Sequence, residues 1–261
     1  MDASPAPWVH ALRNSHDSLR AGVGPLDAGQ LEQPSYASEW SIAQVLSHLG
    51  SQAEIFGLFL DAGLTGQDPP GMEAFGPIWE TWNAKSPQDQ ASDALHADEV
   101  TLERFESMDA ADQERLRLKA FGMDVDTTTL ARMRLGEHAV HTWDVLVALD
   151  PAATVAPDAV ALLVDSLDQL VGRSAKTDGK PRKVRVTTSG PERHFILETG
   201  DSVSLVAADD EMAPELGLSE LTLPAEAFVR LVYGRLDADH TPPVESAGVE
   251  LDELRPIFPG F

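Results

Sequence analysis

The fold and the chemistry of this chain centre on one helical segment, RLGEHAVHTWD at residues 134–144. Four ionisable residues of this segment fall at i, i+3, i+7 and i+10, and on a helix they form one continuous stripe: Arg134, Glu137, His141 and Asp144. The residues on either side of the stripe are mostly apolar, so we expect the stripe to face the core. Burying ionisable groups is costly unless they pair or bind an ion.

A metal ion is one explanation for this stripe. Glu137 and His141 lie one helical turn apart, so both side chains can reach a single ion. His48 is the expected third ligand, because it borders the apolar face of an earlier helix, one turn after Val45. Two histidines and a glutamate leave coordination positions open, as in a catalytic zinc site. Asp144 is then expected to accept the second ring N–H of a ligating histidine.

The same spacing is also compatible with a site that holds no metal. In that alternative, Arg134 and Glu137 form a buried ion pair, and His48 and His141 are hydrogen-bonded core residues. Solvated or capping roles are expected for the remaining histidines: His10, His16, His96, His138, His194 and His240.

Helical periodicity dominates the chain up to about residue 172. The second predicted helix has a clear start, because Ser41 and Gln44 fit a capping box. A loop is expected over 57–70. Helices are predicted over 8–26, 41–56, 86–108, 127–149 and 158–171.

The pattern changes after a polar, glycine-containing stretch at 173–182. Alternating residues predict short strands over 183–187, 194–197, 203–206 and 220–223, followed by a helix over 224–232. The sequence therefore predicts an α+β protein with two domains. A helical bundle is expected over 1–172 and a small α+β domain over 173–261.

Composition excludes several classes of function. The formal net charge of −24 argues against nucleic acid and anionic membranes as partners. The chain has no cysteine, so any thiol chemistry must use a thiol from outside. No signal-peptide pattern and no apolar run of about 20 residues is present, so we expect a cytoplasmic protein. The Arg-, Ala- and Asp-rich composition indicates a GC-rich bacterial genome.

Three separated motifs resemble the mycothiol-dependent maleylpyruvate isomerase family. They lie at 39–54, around His48, at 134–144, and at 223–235 together with 258–261. The resemblance spans nearly the whole chain. It implies an actinobacterial protein with a DinB-like four-helix bundle that binds metal, followed by a small C-terminal α+β domain.

The resemblance also implies zinc bound by His48, Glu137 and His141, with mycothiol as the thiol cosubstrate. Zinc would bind the thiol sulfur, lower its pKa and present a thiolate to a small electrophile. Addition, rotation and elimination would isomerise a cis double bond, whereas a transferase would release the adduct. Arg235 matches a Gly-Arg pair of the family. It is expected either to hold a substrate carboxylate or to offset the dipole at a helix C-terminus.

Three functions therefore stay open. The first is a mycothiol-dependent isomerase or S-transferase, whose partners are a small electrophile and a low-molecular-weight thiol. The second is a hydrolase that uses zinc-bound water. The third is a non-enzymatic small-molecule-binding protein with a structural metal, against which the complete ligand set speaks.

Overall fold

Long helices dominate the first of two units into which the chain divides, Met1–Ala159 and Val160–Phe261. The computed structural model describes residues 4–37, 39–120, 122–208 and 218–260. No helix in these ranges is both long and apolar enough to cross a membrane. The first unit contains α1 (Ala6–Val23), α2 (Ala28–Leu31), α3 (Ile42–Thr65), α4 (Phe75–Asn83), α5 (Pro87–Glu106), α6 (Ala110–Arg115), β1 (Arg117–Ala120), β2 (Met123–Asp126) and α7 (Thr127–Leu149).

Four of these helices, α1, α3, α5 and α7, form a bundle. α3 packs against α5 and α7, and α1 packs against the same two helices. Their apolar faces enclose one core, which includes Leu19, Leu46 and Leu49. The short hairpin of β1 and β2 joins α6 to α7 and was not predicted from the sequence.

Helix α3 begins where the capping box predicts. The Gln44 backbone N–H donates to Ser41 Oγ, and the Ser41 backbone N–H donates to the Gln44 side chain. These two bonds satisfy donors that a helix start otherwise leaves free. The cap fixes the beginning of the helix that carries His48.

The loop predicted over 57–70 is wrong for residues 57–65, because α3 continues to Thr65, and confirmed for residues 66–70. Gly63, inside this helical stretch, is required by packing and does not break the helix. A Cβ on Gly63 would lie 2.8 Å from side-chain atoms of Leu116 and Leu118. Gly66, in the left-handed conformation with φ 69°, ends the helix instead.

Helix α7 has the bounds that the sequence predicts. It begins at the Asp126 N-cap, whose carboxylate accepts a hydrogen bond from the Thr129 backbone N–H. Residues around most of its circumference are buried, including Arg134, His138 and Asp144. Side chains on different faces of α7 therefore enter different parts of the bundle interior.

The second unit is built on a five-stranded sheet. Helix α8 (Pro157–Leu163) crosses the division between the units, and the elements after it are α9 (Leu167–Ser174), β3 (Arg182–Ser189), β4 (Arg193–Thr199), β5 (Ser204–Ala207), β6 (Ser219–Pro224), α10 (Ala225–Val232), β7 (Glu245–Ala247) and α11 (Leu251–Leu254). β3 pairs with β6 in parallel, and the other neighbouring pairs are antiparallel in the order β5-β4-β3-β6-β7. α9 packs against β5, and α10 packs against β6 and β3.

The α+β class predicted from the sequence is confirmed, with helices first and the larger sheet after them. The division between the units follows Ala159 rather than residue 172. The reason is that α9, which we assigned to the bundle, packs against β5 and α10 of the second unit. Helical periodicity alone does not reveal which core a helix joins.

Candidate metal centre

Side chains of α3 and α7 converge at His48, Glu137 and His141, here called the open cluster. One ligand atom of each lies within 4.8 Å of the others. Nε2 of His48 is 3.4 Å and Nε2 of His141 is 3.8 Å from Oε2 of Glu137. Ligands of a tetrahedral zinc ion lie roughly 3.3–3.6 Å apart. The donor set and its spacing therefore fit a divalent metal ion better than they fit direct hydrogen bonds.

Asp144 orients one of these ligands. Its Oδ2 lies 2.8 Å from Nδ1 of His141, one turn earlier on α7, and Asp144 is fully buried. A carboxylate only accepts, so Nδ1 of His141 carries the proton. The lone pair of Nε2 is then free and directed toward the open cluster.

The open cluster is accessible from one side. The side chains of His48 and Glu137 are 21% and 25% exposed, whereas that of His141 is 5% exposed. Trp40, which precedes α3, lies beside both histidines, with its ring centroid 5.3 Å from that of His48 and 6.4 Å from that of His141. Trp40 is itself 38% exposed. A ligand that reaches the open cluster would therefore meet an aromatic side chain that the sequence did not single out.

The electrostatics of the open cluster favour deprotonated ligands. Burial lowers the pKa of His48 below 6.5, although its contact with Glu137 opposes the shift. Burial would raise the pKa of Glu137, but its interactions with His48 and His141 hold it below 4.5. At neutral pH, His48 is therefore neutral and Glu137 is ionised, which is the state that binds a metal ion.

Arg134 belongs to the predicted stripe but does not pair with Glu137. Its guanidinium is fully buried, and Nη2 donates to Oδ1 of Asp98 at 2.6 Å and to the Leu49 carbonyl at 3.2 Å. The ion pair of the metal-free alternative is thus formed with a different carboxylate. Glu137 is left available to a ligand.

Arg235 lies in the second unit, just after α10. It is 8% exposed, and Nη1 donates to the Tyr233 carbonyl at 3.0 Å. Tyr233 is the C-cap residue of α10, so this contact is of the kind that the helix-dipole alternative expects. A contact between Arg235 and a substrate carboxylate stays a prediction. Phe261, at the end of the third motif, lies outside the described residues.

The solvated roles predicted for His16 and His138 are wrong. Both side chains are fully buried, and together with Asp98 they form a second group of potential ligands, here called the buried cluster. A signal for His16 was present in the sequence, since it continues the apolar spacing of Leu12 and Leu19 on α1. His10 and His96 are exposed, as predicted.

The open cluster places histidines and a carboxylate on facing helices of a bundle, which is how metal-binding helical bundles build their sites. Within that class, residues 12–146 match the model of the mycothiol maleylpyruvate isomerase N-terminal domain. This match covers more than half of the chain. The chain belongs to that family, which confirms the resemblance drawn from its motifs.

Solved structures show the same fold over both units. The crystal structure of the mycothiol-dependent maleylpyruvate isomerase is similar with a TM-score of 0.69 over 95% of each chain, at 15% identity. A histidine-to-alanine mutant of that enzyme is similar with the same TM-score and coverage, at 14% identity. At this level of identity, the likeness establishes the fold and not the reaction.

A curated relative has a different description. A putative metal-dependent hydrolase of Geobacillus thermodenitrificans (strain NG80-2) is 36% identical over 115 residues. The match covers 42% of this chain and 63% of the relative, so it spans less than two thirds of the relative's length.

Proposed function

We propose that this protein is a mycothiol-dependent metalloenzyme whose zinc ion is held by His48, Glu137 and His141. It adds the thiol to a small electrophile, as an isomerase or an S-transferase. The observation that carries the proposal is the convergence of three ligand atoms at metal-ligand spacing in a partly exposed site. Membership of a family named for mycothiol and maleylpyruvate supports the choice of cosubstrate.

The residues around the open cluster have distinct tasks in this proposal. A bound zinc ion would act as a Lewis acid that lowers the pKa of a coordinated thiol. Glu137 contributes the negative charge of the ligand set. Asp144 holds His141 in the tautomer that presents Nε2. Trp40 restricts access of water beside His48, which strengthens electrostatic interactions at the reacting atoms.

The requirement for an external thiol follows from composition. The chain contains no cysteine, so it has no nucleophilic thiol of its own. We place the activity in the cytoplasm, where low-molecular-weight thiols are kept reduced. Arg235 is retained as a candidate for binding a substrate carboxylate, because its guanidinium is suited to bidentate contacts.

The test combines metal content with thiol-dependent turnover. Zinc-loaded protein is assayed for consumption of maleylpyruvate with mycothiol, with glutathione and with no thiol, and metal per chain is measured by elemental analysis. We expect about one zinc ion per chain and turnover that needs mycothiol. His48→Ala should lose both properties, whereas His10→Ala, which removes an exposed histidine of the same bundle, should lose neither. A folded wild-type protein that binds no zinc would refute the proposal.

A second candidate function is metal-dependent hydrolysis, which the description of the curated relative favours. The same ligand set leaves coordination positions that suit a water molecule. Hydrolysis of ester or amide substrates at equal rates with and without thiol would support this candidate. Strict thiol dependence would exclude it.

A further inference from the structure

The buried cluster joins three helices of the bundle at one point. Oδ2 of Asp98, on α5, lies 2.7 Å from Nδ1 of His16 on α1 and 2.8 Å from Nε2 of His138 on α7. His138 Nδ1 is in turn 2.8 Å from Ser15 Oγ on α1. The exposed fractions of His16, Asp98 and His138 are 0%, 2% and 0%. A polar group this deep in a bundle stabilises the fold only if its charges are balanced.

The charges of the buried cluster argue against a second metal ion. Asp98 is its single carboxylate, and Arg134 already places Nη2 2.6 Å from Oδ1. Burial would raise the pKa of Asp98, but its interactions with His138 and Arg134 hold it well below 3.8. A divalent cation would add two positive charges to a pair that is already neutral. The separations of 2.7 and 2.8 Å are also shorter than the roughly 3.3–3.6 Å between ligands of one tetrahedral ion.

Two ring nitrogens in this cluster are imperfectly satisfied. Nε2 of His16 lies 2.9 Å from a Glu99 oxygen, and Nε2 of His138 lies 2.8 Å from Asp98. Both contacts are off the N–H axis, so neither nitrogen has a well-directed hydrogen bond among the described residues. Asp98 therefore accepts its directed bonds from His16 and Arg134, and these two define its position.

Arg134 connects the buried cluster to the open one. The same Nη2 that contacts Asp98 also donates to the carbonyl of Leu49, the residue after His48 on α3. On α7, Arg134 lies one turn before Glu137. The guanidinium thus spans the gap between the two helices that supply the three candidate ligands.

We propose that Asp98 is a positioning residue for the metal centre. By holding the guanidinium of Arg134, it fixes the Leu49 carbonyl against α7 and so sets the separation between His48 and Glu137. This role rests on the proposed function, since it presupposes a metal ion in the open cluster. Groups that contact a ligand directly typically change metal affinity about 10–100-fold when they are altered, and Asp98, which acts through Arg134 and the Leu49 backbone, should lie at the lower end of that range.

Cobalt substitution can test the role directly. Wild-type protein and Asp98→Asn are loaded with Co²⁺, and their visible absorption spectra and chelator-competition affinities are compared. We expect affinity to fall about tenfold or more and the absorption bands to shift, because the neutral amide of the variant would leave Arg134 without its charge partner. Arg134→Lys is the second variant, for use if Asp98→Asn does not fold. It keeps the charge but replaces the guanidinium, whose Nη2 contacts both Asp98 and Leu49, with an ammonium group of different shape and reach.

The matched control is Leu102→Ala, one turn after Asp98 on α5. Leu102 is fully buried and apolar, so its truncation destabilises the bundle without touching the polar network. We expect an unchanged cobalt spectrum in this control. If a general loss of stability caused the change, the cobalt spectrum of Leu102→Ala would shift as much as that of Asp98→Asn. If Asp98 has a positioning role, only the spectra of the Asp98 and Arg134 variants shift.

Several outcomes would overturn the proposal. One is a folded Asp98→Asn protein with wild-type cobalt affinity and spectrum. Another is a wild-type protein that binds two ions per chain, with one of them lost in His16→Ala, since the buried cluster would then be a metal site. If the wild-type protein binds no cobalt or zinc, the proposed function fails, and the positioning role fails with it.

Discussion

The open and buried clusters contain the same chemical groups, two histidines and one carboxylate, on the same helical bundle. Their geometry differs. Contacts to the carboxylate measure 3.4 and 3.8 Å in the open cluster, whereas they measure 2.7 and 2.8 Å in the buried one. The first set of separations leaves room for an ion between the ligands. The second set is too short for that, and its contact between His16 and Asp98 is a direct hydrogen bond.

The two carboxylates also differ in their charged neighbours. Asp98 has the guanidinium of Arg134 as a direct partner, but Glu137 has only the histidines of its own cluster among the contacts described. A buried carboxylate that is already neutralised has little affinity for a cation. Residue type therefore does not distinguish a metal site from a hydrogen-bonded core, whereas spacing and neighbouring charge do.

The largest expected difference is in metal binding. His141→Ala removes a ligand and should abolish retention of zinc, whereas His138→Ala, three residues earlier on α7, should leave about one ion per chain. Elemental analysis after dialysis measures both, and circular dichroism verifies that each variant is folded. Loss of zinc from His138→Ala alone would reverse the assignment of the two clusters.

Substitutions in the buried cluster should destabilise the fold more than substitutions in the open cluster. Arg134→Met leaves Asp98 as a buried charge without its arginine partner, and the free energy of unfolding should fall by about 3–5 kcal/mol. Glu137→Gln, at a partly exposed position, should lower the free energy of unfolding of the metal-free protein by much less. Urea denaturation of metal-free protein measures both values. Adding Asp98→Leu to Arg134→Met should recover part of the loss, and no recovery would show that the pair is not coupled.

A smaller effect is expected for the residue behind His141. Asp144→Asn weakens the preference for the tautomer that presents Nε2, so zinc affinity should fall about 10–100-fold while the site still forms. Chelator competition gives the affinity. Asp150→Asn, at the exposed end of α7, is the matched control and should not change it. Equal affinities for both variants would remove Asp144 from the metal centre.

The smallest expected effect is on acid stability. The pKa of Asp98 is depressed in the folded protein, so its contribution to stability is present above pH 3.8 and is lost as the pH falls through the folded value. The groups facing it are His16, Arg134 and His138. Below pH 3.8, wild-type stability should fall more steeply than that of Asp98→Asn, by up to about 1.4 kcal/mol per pH unit. Parallel curves would contradict the depressed pKa.

Local chemistry accounts for what the sequence predicted well. Ser41 and Gln44 satisfy each other's backbone donors within one turn, so the start of α3 needs no tertiary information. Glu137 and His141 lie close together for a similar reason, since helical geometry alone places them one turn apart. The α+β order also follows from the change of hydrophobic period along the chain.

Features that depend on distant contacts were missed. Gly63 lies in the stretch predicted as a loop, but it is part of α3, where Leu116 and Leu118 pack against it. Asp98 lies 82 residues from His16, and no local pattern links the two. The burial of His138 also depends on that pairing. Such contacts can be inferred only when a polar residue is noticed within an apolar helical stripe, as His16 is between Leu12 and Leu19.

The use of two faces of α7 limits how this family can vary in length. Glu137 and His138 are neighbours in sequence but belong to different clusters, because successive residues of a helix point about 100° apart. One inserted or deleted residue between Arg134 and Glu137 would rotate every later side chain by that angle and disrupt both clusters together. Individual residues of this stretch can therefore be exchanged, but a change in its length would affect two sites at once.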